Sequence, residues 1–272
     1  MKTIIIPTDF SENARHAIGY AVNLFGKEDA KFILLHAYKM PSAAATTLIS
    51  LDDIMEKDSV SRLEEEYKKI CNEFYCAILH IERKAEKGDL VDVLKKMMTL
   101  HNPDYIVMGT KGATGLAEAL LGSVASSVVS SSLLPVIIVP DGASFKGLES
   151  IAFAGDNKEI ERFDTVSPLI HLAKAHNSTV KGIYIQSIED TDKNAKPNEK
   201  VPKELQSIIS TWEIIASEKV EEGINLYLDN YPTDMVVVVS RKHGFFYRLF
   251  QKSVTRKMAL HSEIPMLVLP ER

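Results

Sequence analysis

At a constant offset of 130, Asp104 through Pro140 superposes without a gap on Asp234 through Pro270. Ser123-Val124 meets Ser253-Val254, and Pro135 meets Pro265. A register held that long, and bounded by the same aspartate and proline, marks an internal duplication. The chain must therefore fold as two copies of one unit, and its 272 residues suit two domains of ordinary size. The earlier parts of the copies agree. Ser150 to Asp156 parallels Thr3 to Asp9, a helix at about 160–175 parallels the first helix, and Val180 to Ile185 parallels the second strand. The stretch around Gly142, Ser144 and Gly147 reads as a linker. The expected division is residues 1–141 and 149–272, with 142–148 between them.

Within the first copy, residues 3–8 form an apolar, β-branched run, and Asp9 and Ser11 follow as turn and cap residues. Ala14, Ala17, Ile18, Ala21, Val22 and Leu24 recur at helical spacing up to Gly26, and a second strand covers 31–38. This is a βαβ unit, which requires a parallel sheet. A mixed excursion over 39–57 holds a short helix near Ile49–Met55. A charged helix follows over 58–77, then a strand near 78–86, a helix from Asp89 to about Leu100, and a strand at Tyr105-Ile106-Val107. The alternation predicts an α/β fold, two Rossmann-like doubly wound domains, each with a five-stranded parallel sheet.

Met108 to Val124, MGTKGATGLAEALLGSV, follows directly on that last strand. A buried parallel strand ending in a glycine-rich turn and a helix start makes an anion site, because backbone N–H groups converge there. Gly109, Gly112 and Gly122 permit close backbone approach. Ser123 stands where the helix of 122–132 begins. The stretch lacks the Gly-Lys-Ser/Thr ending of a Walker loop and the tight Gly-x-Gly-x-x-Gly of dinucleotide sites.

The spacing Gly109-x-x-Gly112, nine residues, then Gly122-Ser123, resembles the signature of the ATP-binding branch of the universal stress protein family. Ile5-Ile6-Pro7-Thr8-Asp9 with Ser11, the strand Phe32 to Ala37, and the closing strand Leu134 to Pro140 agree with it, so that the resemblance covers nearly all of 1–140. It implies the adenine-nucleotide alpha hydrolase-like fold with strand order 3-2-1-4-5. The nucleotide-binding set it implies is Pro7, Thr8, Asp9, Ala37, Met108, Gly109, Gly112, Gly122, Ser123 and Val124. On this pattern Pro7 and Asp9 hold the nucleoside, the Asp9 carboxylate accepting from the adenine amino group or the ribose. Ala37, smaller than the family's usual valine, lines the adenine slot with Met108. Gly109 and Gly112 surround ribose and phosphate, and Gly122, Ser123 and Val124 hold the outer phosphates. The ligand implied is ATP, with Mg2+ bridging its phosphates and no dedicated protein cage. By composition alone, Asp9 is equally an N-cap and Met108 a core residue, and Lys111 is either a phosphate contact or a solvated lysine. In the family the last strands, here Val136–Val139 and Met266–Leu269, pair across a dimer. The halves are thus expected to form an intramolecular pseudo-dimer, with a further homodimer allowed.

The second copy departs from the pattern. Val239, Lys242 and Lys252 stand where the first has Gly109, Gly112 and Gly122, and Ala154 replaces Pro7, while Asp156 and Ser253 remain. Side chains then fill space that phosphate would need, so the second domain is expected to be degenerate. Arg241 through Phe250 is rich in cations and aromatics. It reads as a surface for a partner, an anionic ligand or a lipid head group, or as aromatics packing beside solvated cations. Gln186 to Glu204 is long and polar and is expected to be mobile.

A formal net charge of −5 and a pI near 5.9 offer no basic excess for nucleic acid. No stretch has the length of a membrane span, and the opening apolar run is too short for a signal peptide. A cytoplasmic protein is expected. Cys71 and Cys76, the two cysteines, are five apart on the expected helix and share no face, so reduced thiols are expected. Glu118 is the one carboxylate near the glycine loop, and no Ser-His-Asp order or His-Glu-x-x-His run occurs. Turnover needs positioned charge and an oriented water, so no catalytic residue is assigned and hydrolysis is expected to be slow at most. The reading is an ATP-binding, nucleotide-dependent stress regulator. Its rivals are a slow ATPase and a partner- or lipid-binding scaffold with vestigial sites.

Overall fold

A computed structural model describes residues 1–26, 29–39, 48–74, 79–110, 122–155, 159–186, 196–241 and 263–271. The first half contributes β1 Lys2–Pro7, α1 Glu12–Phe25, β2 Ala30–Tyr38, α2 Leu48–Glu73 and β3 His80–Lys87, then α3 Leu90–His101, β4 Tyr105–Gly109, α4 Ser123–Ser131 and β5 Val136–Val139. The second contributes β6 Ser150–Gly155, α5 Phe163–His176, β7 Thr179–Gln186, α6 Lys203–Gln206 and β8 Ile209–Ala216, then α7 Val220–Asn230, β9 Met235–Ser240 and β10 Met266–Pro270.

The strands form a single ten-stranded sheet in the order β3-β2-β1-β4-β5-β10-β9-β6-β7-β8. Each half is parallel throughout, and the two meet antiparallel at β5 and β10. The order 3-2-1-4-5 is therefore present in the first half and repeated in mirror sequence by the second. At the seam Ile137 faces Leu267, its own counterpart in the duplication, flanked by Met266 against Ile138 and Val268 against Val136. The junction is thus isologous, the same surface used by both copies, as a two-fold dimer requires.

Duplicated residues do duplicated work. The Asp104 N–H donates to Thr3 O at 2.8 Å, and its carboxylate accepts from the Thr3 N–H at 2.9 Å. Asp234 repeats both bonds with Ser150, at 2.9 and 2.8 Å. These aspartates fasten the start of β4 to β1 and of β9 to β6, which is why each opens its repeat. Ile106 and Val236 likewise donate to Pro135 O and Pro265 O, at 2.9 and 3.0 Å.

Strands buried on both faces read as continuous apolar runs, and every position of β4 is buried. One face of the sheet packs Ile4, Ile6, Phe32 and Leu34 with apolar residues of α1, α2 and α5. The other packs Ile5, Ile33 and Leu35 with those of α3, α4 and α7. Both layers run through both halves. Tyr105 Oη donates to Pro168 O at 3.0 Å across the seam, and His176 Nε2 donates to Leu24 O at 3.0 Å. The expected linker is irregular in backbone yet closely packed, with Ala143 and Leu148 buried and the Phe145 ring edge-on to Tyr20 and His176. No helix among the described residues is long and apolar enough to cross a membrane.

Three expectations are corrected. The short helix near Ile49–Met55 and the charged helix over 58–77 are one helix, α2. No glycine or proline interrupts it, and it is fastened to α1 by a paired contact of Arg15 Nε and Nη2 with the buried Glu66 carboxylate, at 2.8 and 3.1 Å. Cys71 is disulfide-bonded, and Cys76, the chain's other cysteine, lies outside the described residues. Because α2 ends at Glu73, the argument that positions 71 and 76 share no helical face does not apply. Finally, Gln186 to Glu204 is not mobile throughout. Residues 187–195 lie outside the described residues, but a 3-10 turn at Pro197–Lys200 and α6 follow, with Val201 and Leu205 buried in the core.

That short segment replaces the long helix of the first half, and the sheet face is covered differently as a result. Arg83 in β3 lies beside Leu34, and its guanidinium sits 4.2 Å from the Tyr67 ring of α2. At the equivalent rung Trp212 lies beside Gly182, where a Cβ would come within 2.3 Å of the indole. Glycine there makes room for the ring, whose N–H donates to Asn198 Oδ1 at 3.1 Å. An indole thus does in the second half what a helix does in the first.

Candidate functional site

Ligands of doubly wound sheets sit outside the carboxyl ends of the strands where the strand order reverses, here between β1 and β4. Pro7 closes β1, buried beside Leu35, and Thr8 continues the ladder by donating its N–H to Leu35 O at 2.8 Å. The chain then turns sharply. Thr8 Oγ1 accepts from the Phe10 N–H at 3.0 Å, and Asp9 Oδ1 accepts from the Ser11 N–H at 3.1 Å. Ser11, not Asp9, caps α1, its hydroxyl accepting from the Ala14 N–H. Asp9 is therefore a turn residue, partly exposed beyond the carboxyl end of β1.

Met108 is buried, and Ala37 packs against the same apolar cluster. Gly109 ends β4 opposite Val139. A Cβ on Gly109 would lie 2.2 Å from Asn13 Oδ1 and 2.9 Å from the Asn13 carbonyl oxygen. The fold itself demands glycine here, because the first turn of α1 presses on β4. The ladder continues as the Thr110 N–H donates to Val139 O at 3.1 Å, and Thr110 O accepts from the Gly122 N–H at 2.6 Å. Residues 111–121, including Gly112, Lys111 and Glu118, lie outside the described residues.

The bond between Thr110 and Gly122 pins the start of α4 against the end of β4. Gly122 is the N-cap and supplies no side-chain acceptor, whereas α1 and α3 are capped by the side chains of Ser11 and Asp89. Ser123 and Val124 are exposed. First-turn amides have no intrahelical acceptor and carry the positive end of the helix dipole. What the geometry offers is a set of N–H donors at the switch point, with a carboxylate on the neighbouring strand end.

Three residues of this region carried no sequence assignment. His36 Nδ1 donates to Thr8 O at 2.8 Å, its ring lies 4.5 Å from that of Phe10, and the Arg62 guanidinium lies 4.2 Å from the Phe10 ring. Burial pushes the His36 pKa below its ordinary value, against the opposing pull of the Thr8 carbonyl. A histidine inside an otherwise apolar strand run was the available signal.

The described residues of the equivalent place in the second half differ from those of the first. Val239 and Ala154 are buried strand residues. Arg241, which follows β9, is 5% exposed, and donates from Nε to Glu271 Oε1 at 2.7 Å and from Nη2 to Glu159 O at 2.8 Å. Glu271 follows β10 and Glu159 lies between β6 and α5, so this guanidinium bridges the strand ends where the first half has its crevice. The expectation that Arg241 belongs to a presented cationic surface is thus corrected. Its partners lie far off in sequence, and the cations that follow it suggested solvent instead. Positions 242–250, together with Lys252, Ser253 and Asp156, lie outside the described residues.

Comparison with known proteins places this geometry among relatives. The sequence profile of the Universal stress protein family matches residues 1–140 and again 149–270. One universal stress protein of Methanocaldococcus jannaschii is 31% identical over 146 residues, which span 51% of this chain and 81% of the relative. A second from the same organism is 30% identical over 152 residues, 51% of this chain and 94% of the relative. The crystal structure of a universal stress protein from Archaeoglobus fulgidus shares the fold at a TM-score of 0.74 with 20% identity, covering 99% of this chain and 96% of that one.

Proposed function

The chain belongs to the universal stress protein family, and from that premise we propose that its first half binds ATP and that nucleotide occupancy is the state it reports in a stress response. The observation that carries this reading is the start of α4, its first-turn amides left without a side-chain cap and pinned to the end of β4 beside the Asp9 turn. Helix starts of this kind hold phosphate. The Asp9 carboxylate takes the nucleoside end, flanked by Pro7 and Thr8. Ala37 and Met108 bound the adenine slot, and the Gly122, Ser123 and Val124 amides take the outer phosphates. Gly109 and Gly112 line ribose and phosphate by the family's pattern. Magnesium would enter with the phosphates, since no cluster of His, Cys, Asp or Glu able to hold a metal occurs among the described residues. The second half is a degenerate copy that completes the pseudo-dimer, and the protein acts in the cytoplasm as a binding module with slow turnover at most.

Calorimetric titration of the whole chain with ATP tests the reading. Losing a charge-assisted hydrogen bond typically costs about 1.5–3 kcal/mol, so Asp9→Ala is expected to weaken ATP binding by roughly ten- to a hundredfold. Equal affinity in the variant, or no binding by the wild-type chain, would overturn it.

A further inference from the structure

We infer that Phe10, held between His36 and Arg62, is a positioning device that sets the Asp9 carboxylate for the nucleoside; this rests on the nucleotide reading above. Phe10 has a φ of 66°, in the left-handed region that bulky residues rarely enter. Such a conformation persists only where surrounding contacts over-determine it, and here they do. The His36 imidazole lies tilted at 42° to the Phe10 ring with centroids 4.5 Å apart, and Arg62 approaches the same ring to 4.2 Å. The same imidazole donates from Nδ1 to the carbonyl of Thr8. One side chain of β2 therefore holds the residue before Asp9 by a hydrogen bond and the residue after it by ring contact. Between those two fixed points the Asp9 carboxylate has little freedom, and its Oδ1 is further fixed by the Ser11 N–H.

The ring contact, unlike the Nδ1 bond to Thr8, favours a neutral imidazole, because Phe10 also faces the Arg62 cation. Nδ1 already carries the donated proton, so protonation would add charge at Nε2 on a ring that shares Phe10 with the Arg62 cation. Among the described residues, the charged groups facing His36 are Arg62 and Asp58 from α2 and Asp9 from the turn after β1. Burial and Arg62 favour the neutral ring, while the two carboxylates and the Thr8 carbonyl favour the charged one. The net shift is downward. The neutral ring's contribution is therefore complete above the ordinary histidine value, and it is lost as pH falls through the lowered one.

Adenosine is the cleaner probe, since it lacks phosphates and does not titrate near neutrality. Phe10→Gly accepts a φ of 66° without strain but removes the ring. It is expected to unfold at a lower midpoint, the ring's packing against the core being lost, yet to remain folded at room temperature while binding adenosine and ATP about tenfold more weakly. Undiminished affinity in this variant would overturn the positioning role and leave the nucleotide reading standing. No binding of either probe by the wild-type chain would overturn both. Should Phe10→Gly fail to fold, the pH profile decides. Wild-type affinity for adenosine is expected to hold from about pH 7.5 through the ordinary histidine range and to drop several-fold only below it, as pH falls through the lowered value. His36→Asn, which keeps a side-chain N–H donor but cannot titrate, is expected to be flat across that range. A wild-type profile as flat as the variant's would overturn the proposal.

Discussion

Gly109→Ala is expected to destabilise the protein by about 3 kcal/mol, near the upper end for overpacking a closed core. The added methyl would meet Asn13 Oδ1 at 2.2 Å and the Asn13 carbonyl oxygen at 2.9 Å. The amide side chain can rotate away, but the carbonyl belongs to helix α1, which cannot retreat without opening the layer beneath it. A urea midpoint shifted well below the wild type's, at unchanged slope, would agree. A variant of wild-type stability would mean that α1 stands further from β4. The result bears on the functional reading too. Loss of nucleotide binding in a Gly109 variant does not by itself prove ligand contact, because the fold needs glycine there first.

The second large effect is expected at the seam. Leu267 is fully buried in β10 opposite Ile137, and truncating such a leucine costs about 3–5 kcal/mol. Leu267→Ala should lower the stability of both halves together, since both apolar layers run through the whole sheet. Trp212, the chain's only tryptophan, reports on the second half, while far-ultraviolet dichroism reports on both. The two probes should shift in a single coincident transition. Separate transitions, with the first half unmoved, would show that the halves fold independently.

Much of this architecture was legible because the duplication is written in register. The offset that aligns Pro135 with Pro265 also pairs Val107 with Ile137 and Val237 with Leu267 in the folded sheet. The seam itself was expected from the family resemblance, in which the last strands pair across a dimer, and the register does not encode it. Long-range partners were not legible. Arg241 was read with the cations after it, although it bonds Glu271 and the Glu159 carbonyl, far away in the chain. The single helix α2 was split in two because a charged, solvated face carries little periodic signal between its buried Leu63 and Ile70 and its N-terminal turns. At the candidate site, Asp9, Gly109 and Gly122 stand at the strand and helix ends that the spacing predicts. The clamp on Phe10 went unassigned because it joins residues from three elements, and no local spacing encodes it.

Of the two duplicated crevices, the first is the one proposed to hold nucleotide, while in the second Arg241 joins Glu271 and the Glu159 carbonyl across the strand ends. Mass spectrometry of the nucleotide released on denaturing the purified chain, quantified against protein, separates the two. About one ATP per chain is expected, and none from a Gly122→Lys variant that places in the first half the lysine found at position 252. Two nucleotides per chain would contradict a degenerate second half. No nucleotide from the wild type, with none bound on adding ATP, would contradict the site itself.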